Sequence, residues 1–166
     1  MTDLLDPVDA RILDLVQQDA SLSVAEIAER VGLSPSPCWR RIKRLEDAGV
    51  IRKRVTLLDS ERLGLAFEVY AMVKLSLPTR ENLDAFEKSV EAWPEVVQCA
   101  TITGREDYVL RIVTRDIHGF DEFMRERLLA LGLVSDVQSH IVIRGVKNTT
   151  AVPLNLVSPH VAEAAA

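Results

Sequence analysis

A chain of 166 residues, nearly half of them hydrophobic and 27% charged, is long enough to form one domain or two small ones with real cores. No apolar run approaches the roughly 18–20 residues that span a bilayer. The start, MTDLLDPVDARILDL, is acidic and lacks the basic-then-apolar order of a signal peptide, so a cytoplasmic protein with no membrane partner is expected. The net charge of −5 argues against a uniformly basic nucleic-acid binder, but the charge is unevenly spread. Residues 34–54 hold seven cations (Arg40, Arg41, Lys43, Arg44, Arg52, Lys53, Arg54) against Glu46 and Asp47, a local +5, which leaves −10 for the rest. A basic patch on an acidic body is still an electrostatic footprint, because binding depends on the field at the contact surface. Cys38 and Cys99 are far apart, and His118, His140 and His160 are scattered. That excludes a disulfide framework and the usual zinc spacings, so neither a metal nor a cofactor is expected.

Asp6-Pro7-Val8-Asp9 reads as a helix start: a capping aspartate, proline at the first helical position and a carboxylate in the first turn. Val8, Ile12, Leu15 and Val16 supply its apolar face. Ser23 to Glu26 is a capping box for a short second helix, with Ile27, Ala28 and Val31 on its buried side. Gly32 stops that helix in a left-handed turn. Ser34 then caps a third helix, with Pro35 and Pro37 in the first turn, where prolines are tolerated. Cys38, Ile42 and Leu45 form the apolar seam of this helix and leave its basic side chains largely on other faces. A run of charge is often no more than a solvated helix face. Helix, short helix, tight glycine turn and basic helix in sequence nevertheless predict a helix-turn-helix whose last helix enters the major groove. After Gly49, Val50 to Asp59 is β-branched around a basic triplet, which predicts an extended wing in contact with phosphate; the alternative is a solvated linker strand.

The stretch GLSPSPCWRRIKRLEDAGVI resembles the Lrp/AsnC family of transcription regulators, which commonly shows LSPSPC-x-RR-x-x-x-LE-x-x-GVI. The resemblance covers nearly the whole chain. Trp39 departs from it, leucine being commoner there, and is assigned to packing because an indole fills more core. For DNA, the reading selects Ser36, Pro37, Arg40, Arg41 and Arg44 in the groove, with Arg52 and Arg54 on the backbone.

Beyond a connector near residues 61–66, the pattern changes. Phe67–Leu77 is strand-like, and Leu83, Phe86, Val90 and Trp93 mark a helix. Two strands follow, 96–103 and 108–114, around the turn Gly104-Arg105-Glu106-Asp107. Ile117, Phe120, Met124, Leu128 and Leu131 mark a second helix, and 134–143 a last strand. This β-α-β-β-α-β order is ferredoxin-like, with both helices on one face of an antiparallel sheet. The expected fold is therefore α+β: a winged helix-turn-helix domain (1–60), a linker (61–66), a ferredoxin-like domain (67–147) and a tail (148–166), the tail packing on the domain as far as Leu154 and fraying from Ser158. Tyr70 and Met72 make the other sheet face apolar as well, which predicts a second copy against it. The family resemblance likewise implies dimers that often stack into octamers.

Gly104-Arg105-Glu106-Asp107-Tyr108 is similar to the family's G-x-x-D-Y/F hairpin, which borders an amino-acid effector pocket between dimers. The implied effector set is Thr101, Thr103, Gly104, Arg105, Asp107 and Tyr108, with Ser139 and His140 on the last strand. Backbone N–H groups at the glycine turn suit a carboxylate, and Asp107 suits an ammonium group; the plainer reading is a tight turn capped by Asp107. His140 stands where an aromatic is commoner. The leading expectation is a DNA-binding regulator without catalytic residues, controlled by an amino-acid-type effector at an inter-subunit site. Siroheme decarboxylases look like this family in both domains, so an enzyme using His118, His140 and Arg111 is the alternative. A third is an effector-binding module without DNA binding.

Overall fold

A computed structural model of the chain describes residues 5–157. The described residues divide into two compact units, one formed by 5–57 together with 147–157, the other by 58–146. No helix among the described residues is long and apolar enough to cross a membrane.

The first unit contains α1 (Pro7–Gln18), α2 (Val24–Val31) and α3 (Pro35–Asp47). Each start and stop has a local cause. The Asp6 carboxylate accepts from the N–H groups of Val8 and Asp9 at 2.9 and 2.8 Å, and Asp9 accepts from the Asp6 N–H at 3.2 Å. Ser23 and Glu26 close the expected capping box, satisfying donors that the helix cannot pair itself. Gly32 takes a φ of +71°, and the Leu33 N–H turns back to the Ala28 carbonyl at 2.8 Å. Ile12, Ile27, Ala28, Cys38, Ile42 and Leu45 fill the core between the three helices. The tail, expected on the ferredoxin-like domain it follows, packs instead on this unit: Gln17 and Val152 bond each other both ways, and Leu154 packs on the core. The stretch from residue 158, expected to fray, lies outside the described residues.

Two expectations need correction here. Ser34 has the extended backbone of an N-cap, but its side chain makes no capping bond. The reason is chemical: a cap accepts from the second or third N–H of the helix, and Pro37 has removed the third. The expected wing also forms no strand, since residues 52–59 run without ladder partners. A single strand cannot satisfy its backbone groups alone, and the described residues of the unit supply no second one.

The second unit is a four-stranded antiparallel sheet in the order β2-β3-β1-β4, with β1 at Phe67–Leu75, β2 at Val96–Thr101, β3 at Tyr108–Thr114 and β4 at Val134–Ile141. Helices α4 (Arg80–Glu91) and α5 (Ile117–Phe123) complete the ferredoxin-like order. The helix expected to run on to Leu131 continues past α5 as a π-helical turn (Met124–Leu128) and a 3-10 turn (Leu129–Leu131). Period-two alternation sends Val69, Ala71, Val73 and Leu75 of β1, with Tyr108, Leu110 and Ile112 of β3, to the buried face. There all of these but Val69 cluster with Phe86, Val90, Phe123 and Leu128, and each fully buried aliphatic or aromatic side chain contributes about 1.5–3 kcal/mol. The second face carries Tyr70, Met72, Val109 and the Glu68–Arg111 pair, whose bonds are 2.8 and 3.1 Å.

Candidate nucleic-acid interface and ligand-binding face

The seam of Cys38, Ile42 and Leu45 decides which way every other side chain of α3 points. With 3.6 residues per turn, positions 36, 39, 40, 43 and 47 fall on the outer half, and all five are exposed. The basic residues there have unequal freedom. Arg40 has no ion-pair partner among the described residues, whereas Lys43 meets Asp47 at 2.8 Å, one turn on, which raises the Lys43 pKa.

Arg41 and Arg44 turn inward to α1. The Asp9 carboxylate, completely buried, accepts from Arg41 Nη1 at 2.9 Å and from Arg44 Nη2, while Arg41 Nη1 also reaches Asp6. Taking a carboxylate out of water is costly unless it is paired and hydrogen-bonded in this way. The bonds to Asp6 and Asp9 push the Arg41 guanidinium above its ordinary value. Burial raises the Asp6 carboxyl, but the Asp9 amide and Arg41 outweigh it and hold Asp6 below the usual carboxylate value. Arg41 therefore departs from the groove-facing role expected of it, because its guanidinium is committed to two carboxylates of α1. Arg44 is shared: its side chain remains 52% exposed while one nitrogen holds Asp9. The sequence reading placed Asp9 only as a first-turn carboxylate and missed its pairing with α3, although a signal was present. Asp9 occupies a core position of α1, one and two turns before Leu13 and Val16, where a lone charge requires a partner.

Trp39 also departs from expectation. It is 54% exposed and takes no part in the core, because its place on α3 is about 100° round from Cys38 and the seam is already full. Ser36 is exposed, Pro37 is half-buried, and Arg52 and Lys53 are exposed in the segment after α3. Arg54 lies 3.5 Å from Glu46, a loose surface pair.

In the second unit, the hairpin between β2 and β3 is tied down by Asp107. Its N–H donates to the Val73 carbonyl at 2.9 Å, and its carboxylate accepts from the Leu75 N–H at 2.8 Å. The plainer reading of Asp107 as a backbone cap is the one observed, and that bond uses Oδ2 alone, so among the described residues Oδ1 is still able to accept. Gly104 sits at φ +133°, in reach of glycine alone. Thr101, Thr103 and Arg105 are exposed around it. Tyr108 is not: its ring is buried against Phe86, and its hydroxyl donates to Glu87 at 2.8 Å. Burial first, then Glu87, raises its pKa. Period two explains the departure, since Tyr108 shares a parity with Leu110 and Ile112.

Ser139 and His140 are exposed on β4, opposite Ala71 and Tyr70 of β1. They face opposite sides of the sheet, and β4 is the edge strand farthest from β2. One chain thus does not bring the two halves of the expected effector set together; strand spacing alone separates β2 from β4 by about 14 Å. A cleft of about 230 Å³ elsewhere in this unit, lined by Glu95, Thr114, Gly119 and Phe123 among others, includes none of the eight. No group of three or more His, Cys, Asp or Glu among the described residues is placed to hold a metal ion.

A three-helix unit presenting an exposed basic helix, followed by a ferredoxin-like unit, defines a helix-turn-helix DNA-binding protein with a second domain. Comparison with known proteins makes the class specific. Residues 5–52 match a winged helix-turn-helix DNA-binding model, and residues 68–152 match the Lrp/AsnC ligand binding domain. The transcriptional regulator AzlB of Bacillus subtilis is 36% identical, over 92% of this chain and 97% of that protein. The leucine-responsive regulatory protein of Rhizobium meliloti is 37% identical, over 90% and 96%. The crystal structure of the transcriptional regulator NMB0573 from Neisseria meningitidis in complex with L-Met superposes with a TM-score of 0.89 at 39% identity, covering 93% of this chain and 99% of that one. The chain belongs to the Lrp/AsnC family: it is a DNA-binding transcriptional regulator with a ligand-binding domain, and not an enzyme. The decarboxylase alternative is thereby set aside.

Proposed function

We propose that this regulator binds its operator as a homodimer or a larger assembly, up to the octamer, and that an amino-acid-type effector seated between subunits modulates it. The observation that carries the reading is the placement of the effector set on opposite edges of one sheet. A pocket that uses Thr101, Thr103 and the Gly104–Asp107 turn together with Ser139 and His140 needs edges from two copies. The exposed apolar side chains support assembly: Tyr70 and Ile141 on the sheet, and Val55, Leu57 and Leu58 after the helix-turn-helix. Patches of this kind mark interaction surfaces. The L-Met of the Neisseria complex and the leucine response for which the Rhizobium relative is named favour an amino acid as the ligand class.

On DNA, Ser36, Pro37 and Arg40 face the groove. Arg52 and Arg54 hold the backbone, and Arg41 and Arg44 act by fixing α3 on α1 through Asp9. A dimer then spans two half-sites about one helical turn, or a multiple of it, apart. An effector shifts this equilibrium only if it binds one assembly state better than another. The test is sedimentation and operator affinity measured together while each of the twenty amino acids is titrated. At least one is expected to move both, from a starting mass of two or more chains. A stable monomer at micromolar concentration would end the inter-subunit reading, and no response to any amino acid would end effector control.

A further inference from the structure

The side chain on α3 that the helix-turn-helix reading leaves without a task is Trp39. It is more than half exposed, whereas the chain's other tryptophan, Trp93, is buried against Phe123 with ring centroids 5.4 Å apart. Trp39 stands between Ser36 and Lys43 at helical spacings of three and four, so all three share one exposed flank. Arg41 and Arg44, bonded to Asp9, occupy the other flank. Helical side chains lean toward the N-terminus, which carries the indole toward the first turn of α3, the end of a recognition helix that meets base edges.

We propose that Trp39 is a specificity-determining residue that places its indole edge against a thymine in the major groove; this rests on the reading that α3 enters that groove. The chemistry selects the base. Indole offers an apolar rim and one N–H donor, with no acceptor. Stacked base pairs present only their edges in the groove, and thymine alone shows a methyl group beside an acceptor oxygen there. Cytosine presents a donor amine instead, which leaves the indole N–H facing another donor. Leucine at this place, the commoner residue in the family pattern, could meet the methyl but not the oxygen.

The experiment uses the full chain. Sites are first selected from a random duplex library with the parent, Trp39→Ala, Trp39→Leu and Arg40→Ala proteins. Each thymine of the parent's selected site is then replaced by uracil, which deletes only the methyl group. One thymine per half-site is expected to weaken the parent about three- to fivefold on replacement, the effect of losing one buried methyl. Trp39→Ala should be indifferent to that replacement and should tolerate cytosine at the same position, while Trp39→Leu keeps the methyl effect and loses discrimination against cytosine. Circular dichroism checks that the variants are folded, which the exposure of Trp39 favours. If every uracil replacement affects parent and Trp39→Ala alike, or both select the same site with the same affinity, the proposal is overturned while a loss in Arg40→Ala leaves the groove reading intact. If the parent selects no site and Arg40→Ala binds as the parent does, both are overturned.

Discussion

Replacing Asp9 with alanine tests whether α3 is held by charge from beneath. The carboxylate is fully buried and accepts from Arg41, Arg44 and the Asp6 N–H. Removing one partner of a buried ion pair generally costs about 3–5 kcal/mol, because the other charge is stranded. Here the stranded groups are guanidiniums whose side chains are 29% and 52% exposed, so both recover much of their hydration. The remaining loss is the charged hydrogen bonds, worth about 1.5–3 kcal/mol each before solvent competition, and one unpaired N–H at the start of α1. A net destabilisation of about 2–3 kcal/mol follows, and roughly half of it for Asp9→Asn, which keeps the shape and one acceptor. Because the chain has two units, a global melt would blur the effect. Native-state hydrogen exchange read on peptides of α1 and α3 isolates it: protection there should fall about 30-fold or more, with β1 and β3 unchanged. Protection within threefold of the parent in α1 and α3 would show that the ion cluster contributes nothing to holding the helix.

Three further outcomes follow from the same geometry. Arg40→Ala should lose about 1–3 kcal/mol of operator affinity and relax preference at one base position, whereas Arg41→Ala should lower the stability of α1 and α3; the reverse pattern in binding and exchange would contradict the assignment. Asp107→Ala strands the Leu75 N–H and should cost the second unit about 1–3 kcal/mol in urea denaturation; an unchanged midpoint with lost effector binding would instead make Asp107 a ligand contact. The folded pKa of Asp6 lies below its unfolded value, so its contribution is complete above about pH 4 and disappears as pH falls through the folded pKa. Acid unfolding of α1 should therefore lose part of its pH dependence in Asp6→Asn, and an identical acid limb would refute the coupling to Arg41.

The elements that were legible in the sequence are those whose causes are local. Ser23–Glu26 closes within one turn, Gly32 needs only its own backbone, and the strands of the second unit follow from alternation at 69–75 and 108–112. What escaped depends on distance or on competition. Asp9 finds its arginines 32 and 35 residues away, and no local spacing encodes that meeting. The Ser34 cap failed because its neighbour Pro37 lacks the N–H that the hydroxyl would bond. Asp107 and Tyr108 were read correctly as belonging to a hairpin, but their side chains also serve the fold, one capping the Leu75 N–H through a single oxygen and the other bonding Glu87 from the core. A motif identifies the turn and says little about which of its atoms are free.

The same distinction between present and available charge bears on how strongly this helix holds DNA. Seven cations lie between residues 34 and 54. If every one displaced a counterion from phosphate, log K would fall with log salt at a slope of about 6 per chain. The structure argues for less. Lys43 and Arg54 have only exposed partners, and surface pairs worth about 0–1 kcal/mol yield readily to phosphate. Arg41 and Arg44 would have to abandon a buried carboxylate. Five available cations give a slope of at most about 4.5 per chain on non-specific duplex. Asp9→Ala frees the other two, so its slope should steepen by up to about 1.8, even as operator selectivity falls with the loosened helix. A parent slope near 6, unchanged by Asp9→Ala, would mean that the carboxylate surrenders its arginines on contact with DNA and that the inward pairing belongs only to the free protein.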